Sequence, residues 1–212
     1  MRADKTFDLL PWLEKGRIEA GCDEAGRGAL AGPVVAASVI WLPDNPHLLD
    51  LLPSLNDSKK LTGKRRETLF DRICSCSDAF SIVEIDPATI DRINIYQASC
   101  LAMSRAAENL TLSPDHLLID GNRFVPSTSI PYTCLVKGDA RFASIASASI
   151  LAKVHRDRVM QKSHELYPEY GFDKHVGYPT PSHKAIIRKI GLSPIHRKSY
   201  KPCMQMLPFL TD

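Results

Sequence analysis

The chain has 212 residues, 44% of them hydrophobic and 24% charged, a length and balance that suit one domain with a substantial core. This composition excludes disordered, collagen-like and mucin-like classes. No run approaches the roughly 18 consecutive apolar residues of a membrane span, and the most apolar stretch, 29–42, is interrupted by Gly32, Pro33 and Ser38.

Net charge is +3 but unevenly placed: residues 1–136 carry 14 Lys/Arg against 18 Asp/Glu, and residues 137–212 carry 13 against 6 with five of the seven histidines. Basic beside acidic surface suits a phosphate-backbone binder with a metal site, though an ordinary solvated face would look the same. The six cysteines, at 22, 74, 76, 100, 134 and 203, are scattered through apolar segments without a zinc or disulfide pattern. Free thiols and a reducing compartment are expected. The first residues lack a signal-peptide pattern, so a cytoplasmic location is expected.

In chain order, 17–24 reads as a strand entering a glycine turn, and the branched run 34–41 as a buried second strand. Residues 43–58, rich in Pro, Asn and Asp, read as loop, followed by a short helix over 64–74 and a strand over 79–85. Apolar residues at helical spacing predict one long amphipathic helix over 87–110. Short strands follow at 116–120 and 133–137, then a long helix over 142–164. Beyond Pro168 come loops around a helix over 181–190, with Thr180 placed to cap it and Pro181 at its first position. The order predicts an α/β fold: a mixed five-stranded sheet flanked by helices, in one domain over 1–212, with 165–212 as a helical and looped C-terminal extension.

Four acids stand at strand ends: Asp23 and Glu24 at the end of the first strand, Asp120 at the end of the fourth, and Asp139 at the end of the fifth. Carboxylates gathered at one sheet edge give the all-oxygen surroundings that hard cations such as Mg²⁺ prefer. Any one of them alone is as readily a turn or cap residue. Adjacent strand residues face opposite ways, so the strand is expected to break at Asp23-Glu24 if both are to face one site. Gly26-Arg27-Gly28-Ala29-Leu30-Ala31 fits the dinucleotide fingerprint G-x-G-x-x-A, the basis of an alternative NAD-dependent oxidoreductase reading. Against it, Gly32-Pro33 and a strand follow where that motif needs a helix N-terminus for pyrophosphate. His175 and His183, without nearby cysteines, do not form a zinc pattern.

Gly21-Cys-Asp-Glu-Ala-Gly-Arg-Gly28 with Ala31-Gly-Pro-Val-Val-Ala-Ala37 resembles the signature of the type 2 ribonuclease H family. Asn56-Asp-Ser-Lys-Lys-Leu61, Ile119-Asp-Gly-Asn122, Val136-Lys-Gly-Asp139, Ala146–Val154 with Arg156-Asp157, Gly177-Tyr-Pro-Thr180 and Arg197-Lys-Ser-Tyr200 are similar to its later blocks, in family order. The short stretch before Asp23 points to the ribonuclease HII branch rather than HIII. The resemblance implies a ribonuclease H-like fold and an endoribonuclease that hydrolyses the RNA strand of RNA–DNA hybrids and nicks 5′ to single ribonucleotides in duplex DNA. It leaves 5′-phosphate and 3′-hydroxyl ends and uses two Mg²⁺ or Mn²⁺ ions.

Carried over by motif position, Asp23, Glu24, Asp120 and Asp139 are the metal-binding and catalytic acids; Asp157 is read as structural, beside Lys153 and Arg156. The resemblance assigns the ribose 2′-hydroxyl to the Gly26-Arg27-Gly28 turn and to Tyr178, which would also stack on the next, deoxy sugar. Lys59, less surely Lys60, would contact phosphates, and Lys137 would hold the substrate backbone or form a structural ion pair. Val176 stands where a basic residue is common, and Lys198 and Tyr200 where Arg and Phe are. The tail Gln205-Met-Leu-Pro-Phe-Leu210 loosely resembles peptides that dock on the bacterial sliding clamp, but Pro208 sits where Leu is wanted, and packing on its own domain is the favoured reading. The substrate partners are an RNA–DNA hybrid and ribonucleotide-containing duplex DNA; a monomer without membrane contact is expected. The alternatives are a metal-dependent DNA nuclease or resolvase of the same fold, and a hybrid-binding module without catalysis.

Overall fold

Branched and small apolar residues build a mixed sheet in the computed structural model, which describes residues 9–55 and 62–205. Its strands are β1 (Glu19–Ala25), β2 (Val34–Ile40), β3 (Ala79–Ile85), β4 (His116–Asp120) and β5 (Tyr132–Leu135), in spatial order β3-β2-β1-β4-β5. The first three pair antiparallel, while β4 runs parallel to β1 and β5 parallel to β4. β2 is buried throughout, which is why it reads as an unbroken apolar run rather than an alternating one.

The helices are α1 (Leu48–Leu55), α2 (Gly63–Cys76), α3 (Pro87–Ile93), α4 (Ile95–Glu108), α5 (Ala143–Leu166), α6 (Phe172–His175), α7 (Pro181–Ile190) and α8 (Lys201–Met204). One sheet face packs Val35, Ala37 and Val39 against α5, α1 and α2 through Ala146, Leu151, Leu48, Leu51, Leu55, Leu69 and Ile73. The other face packs Ala20, Cys22, Ala36, Leu117 and Ile119 against α3 and α4 through Ile90, Ala98, Ala102 and Met103. The first turns of α5 carry Ala and Ser, which lets the helix lie almost on β1. A Cβ on Gly21 would stand 2.3 Å from the Ile145 amide nitrogen, a separation no side chain can occupy. The Trp41 indole closes this layer by donating to Ser147 Oγ at 3.0 Å.

Four expectations change. Residues 48–55 form α1 rather than loop, because Leu48, Leu51 and Leu55 bury one stripe against the core despite Pro53 inside the helix. The predicted helix over 87–110 is two helices that meet at Asn94, whose φ of 66° turns the chain. β5 stops at Leu135, two residues short of the expected end, because Lys137 turns into the left-handed region at φ 55°. β1 does not break at Asp23-Glu24: pairing with β2 continues through Asp23–Ala37, Glu24–Ala36 and Ala25–Val35. The strands 79–85 and 116–120 and the helix 181–190, with Thr180 Oγ1 accepting from the His183 amide, are as expected.

Candidate active site

Because β1 stays regular, its two acids take opposite faces. Asp23 shares the α5 side with Gly21 and is held down there by a hydrogen bond from Ser149. Glu24 shares the α4 side with Cys22 and lines a small cleft with Tyr96, Ser99, Cys100, Arg123 and Asp120. The parallel neighbour β4 ends on Asp120 beside them. The three carboxylates therefore straddle the carboxyl end of the sheet and feel one another. Burial pushes Asp23 well above the usual carboxylate range, and the charges of Glu24 and Asp120 push it the same way. Burial also raises Glu24, and Asp120 adds to the rise, while Arg27 opposes it through an ion pair at 3.0 Å. Packing acids this closely, two of them buried, makes it costly to ionise all of them at once.

Asp139 is delivered by the tight turn 138–140 after β5. The left-handed Lys137 points the next amide back at the sheet, so Gly138 N–H donates to Asp120 Oδ1 at 2.7 Å. Asp139, one residue further on, is buried at 7% exposure. All four donors are carboxylates, the ligand type that suits a hard divalent cation. Among the described residues, no three or more His, Cys, Asp or Glu side chains stand grouped so as to hold a metal ion as they are placed here. Glu24 instead leans to Arg27, and Asp120 to Gly138.

Next to the acids, β1 runs into a loop over 26–33 that two buried arginines brace. Arg156 on α5, fully buried, donates to Pro33 O (3.1 Å), Ala31 O (3.1 Å) and Val176 O (2.9 Å). Arg197, also fully buried, donates to Gly32 O, Pro33 O and Arg27 O at 2.9–3.0 Å, and Tyr200 Oη donates to Arg27 O at 2.6 Å. Backbone carbonyls rather than carboxylates receive both cations, so the positive charge is solvated by the loop itself. Burial lowers Arg156 to about 10, still charged at neutral pH. Gly26 is the position that permits this: its φ is 95°, and a Cβ there would stand 2.0 Å from Arg156 Nε. A Cβ at Gly28 would meet nothing within 4 Å, so that part of the turn is open. The element that follows the loop is the strand β2 and not a helix, which removes the basis of the dinucleotide reading.

Tyr178 lies beside the same loop. Its ring sits 5.2 Å from the Arg156 guanidinium and 5.8 Å from Lys153 Nζ, and Gly177 O accepts from the Leu30 amide at 2.8 Å. The structure thus brings Asp23, Glu24 and Asp120 together, sets Asp139 one residue beyond the Gly138 amide that bonds Asp120, and joins the Gly26-Arg27-Gly28 turn to Tyr178 through Arg156. Lys137 is exposed at the turn that carries Asp139. Lys59 and Lys60 lie outside the described residues, as does the tail beyond Gln205. Asp157 pairs with Lys153 at 2.7 Å on α5, in keeping with a structural role. Sequence reasoning missed the bracing role of Arg156 and Arg197, which look like surface charges in a linear reading. The available signal was their place in two of the quoted blocks, together with a glycine-rich loop that has no carboxylate of its own to fix it.

A family model described as Ribonuclease HII matches residues 20–203. A "Ribonuclease HII" of Chlorobium luteolum is 50% identical over 205 residues, covering 95% of this chain and 96% of that protein. Among solved structures, the ribonuclease H2 of Pyrococcus horikoshii OT3 is similar with a TM-score of 0.77 at 26% identity, covering 89% of this chain and 96% of that one. The PCNA:RNase HII complex of Archaeoglobus fulgidus gives a TM-score of 0.70 at 25% identity, covering 87% and 95%.

Proposed function

The chain belongs to the ribonuclease HII family and is an endoribonuclease of RNA–DNA hybrids; we propose that Asp23, Glu24, Asp120 and Asp139 are its catalytic acids and hold two divalent cations, Mg²⁺ or Mn²⁺. The observation that carries this reading is the placement of Asp23, Glu24 and Asp120 at the same end of the adjacent strands β1 and β4, close enough that the charge of Asp120 raises both other carboxyls. Such a charge cluster, all oxygen and partly buried, suits hard cations and little else. When bound, the ions supply an activated water and a stabilised leaving 3′ oxygen.

The residues of the chain do the rest. Gly138 N–H orients Asp120, and Arg27 is poised to exchange its pairing with Glu24 for a substrate phosphate. The braced turn at Gly26, Arg27 and Gly28 offers backbone close to the sugar, where a 2′-hydroxyl distinguishes RNA from DNA. Tyr178, held against Arg156, stacks on the following deoxy sugar, which selects a ribonucleotide followed by DNA. Lys137, at the mouth of the site, and Lys59 hold phosphates. The whole chain, 1–212, acts as one catalytic domain, with 165–212 as its extension.

A DNA duplex carrying one ribonucleotide, end-labelled and incubated with Mg²⁺ or with chelator, tests this reading. A single metal-dependent cut 5′ to the ribonucleotide is expected, with an all-DNA duplex intact. Cleavage of the all-DNA duplex would favour the nuclease or resolvase alternative. Hybrid cleavage without the single-ribonucleotide cut would leave the acids in place and overturn the roles of Gly26–Gly28 and Tyr178. A sliding-clamp contact through residues 205–210 is a second reading, favoured by the Archaeoglobus relative's assembly with PCNA. Failure of a peptide of residues 201–212 to bind clamp at high micromolar concentration removes it.

A further inference from the structure

The extension holds a buried histidine cluster that the chemistry above does not use. His175, His183 and His196 lie at 7%, 0% and 1% exposure beneath Tyr170 and Phe172. The rings of His175 and His183 stack at 4.2 Å, and Phe172 meets His183 edge-on at 5.7 Å. The hydrogen bonds fix every tautomer. The Ser193 amide can only donate, so His196 Nδ1, at 2.9 Å, accepts and its Nε2 carries the proton. That Nε2–H donates to His183 Nε2 at 3.1 Å. His183 must then carry its proton on Nδ1, which faces an obligatory acceptor, the Tyr178 carbonyl, at 2.9 Å. His175 is fixed likewise: Nε2–H donates to Tyr170 O at 2.9 Å and Nδ1 accepts from the Gly177 amide at 3.2 Å. All six ring nitrogens are used inside the protein, which leaves none for a metal.

The chain of bonds runs in one direction, from the Ser193 amide through two neutral imidazoles to the backbone of Tyr178. On its other side, the Tyr178 amide donates to His175 O at 2.8 Å. Both peptide groups of Tyr178 are therefore fixed: its amide is held by His175 O, and its carbonyl accepts from His183 and also from the Thr180 amide at 2.8 Å. The grip holds a segment whose backbone resists its own shape, since Val176, a β-branched residue, sits at φ 43°. We propose that His183, oriented by His196, is a positioning residue that sets the height of the Tyr178 ring over the substrate and so tunes selectivity for the ribonucleotide-to-DNA junction. The inference rests on the reading of Tyr178 as the junction reader.

The test is a substrate ratio. For the full-length enzyme, kcat and KM are measured on a duplex with one ribonucleotide and on a long RNA–DNA hybrid, for Tyr178→Ala, His183→Ala, His183→Asn, His183→Gln and the Tyr178→Ala/His183→Ala double variant. Asn can place an N–H where Nδ1 stood, whereas Gln reaches only toward Nε2. His183→Ala and His183→Gln should lower the single-ribonucleotide to hybrid ratio of kcat/KM about 5–10-fold, as loss of one buried hydrogen bond implies. His183→Asn should restore most of it, and the double variant should match Tyr178→Ala alone. A ratio that moves in Tyr178→Ala but in none of the His183 variants overturns this inference and leaves the Tyr178 reading standing. A ratio unmoved by Tyr178→Ala overturns both. Equal losses on the two substrates in the His183 variants reduce the relay to ordinary structural support. If His183→Ala does not fold, the contrast between Asn and Gln decides.

Discussion

Asp120 serves two purposes that substitution can separate. Its carboxylate completes the turn after β5 by accepting from Gly138 N–H at 2.7 Å, and its charge raises the carboxyls of Asp23 and Glu24. Asparagine keeps an acceptor oxygen in the same place and removes the charge. Asp120→Asn should therefore fold with undiminished thermal stability in chelator, because repulsion among the acids falls, and still bind hybrid. On the proposed role of Asp120 in holding a cation, turnover should drop ~100-fold or more, beyond the usual effect of losing a supporting contact. Alanine removes the acceptor as well, which strands the Gly138 amide and costs a further ~1–3 kcal/mol. Turnover measured beside melting temperature for the two variants checks both statements. Near-native turnover in Asp120→Asn would remove it from the catalytic set.

At the scale of elements, the break between α3 and α4 shows how one residue reconciles two helices. Asn94 ends α3 with φ at 66° and, from that conformation, caps α4 by accepting from the Gln97 amide at 3.1 Å. At φ 66° and ψ 163° the backbone lies in a positive-φ region that favours glycine, and asparagine is there for its capping oxygen. The joint matters to the site because α4 supplies Tyr96, Ser99 and Cys100 to the cleft beside Glu24. Asn94→Ala forfeits the capping oxygen without easing the backbone and should cost ~2 kcal/mol in urea unfolding. Asn94→Gly brings the backbone freedom and should cost no more than ~1 kcal/mol. Equal costs would show that the positive-φ geometry is not the source of the difference. Spacing alone predicted one continuous helix here because Ile90, Ile93, Ala98 and Leu101 keep nearly helical intervals across the joint; the period survives a turn that the backbone does not.

For the molecule as a whole, what could be read in advance was what lies along one strand or one helix. The placement of the acids at one end of the sheet was legible because Asp23 and Glu24 lie near the end of β1, Asp120 closes β4 and Asp139 comes shortly after β5, and β3, β4 and α7 were legible because their residues and caps agree locally. What escaped reading joins distant segments: Arg197 to carbonyls at 27, 32 and 33, Arg156 to Val176, and the histidines to Tyr178. A charged or titratable side chain gives no linear sign that backbone carbonyls will enclose it. This enclosure has a whole-molecule consequence. Burial lowers His183 and His196 to about 4 and moves His175 the same way, against an unfolded value near 6.5. On His183 and His196 the unfolded chain thus takes up protons below about pH 6.5 that the folded chain refuses until about pH 4, so their contribution to stability is full above pH 6.5 and declines as pH falls, and His175 acts in the same direction. Asp23 and Glu24, raised in the fold, act in the opposite direction, because for them the folded state binds the extra proton. A variant that removes one histidine separates the two effects. His183→Asn should show a shallower fall of unfolding free energy between pH 6.5 and 5, the difference in slope approaching one proton, when both proteins are unfolded in urea across that range. Parallel slopes would mean that His183 is charged in the native protein, which the Nδ1 donation to Tyr178 and the Nε2 acceptance from His196 together forbid.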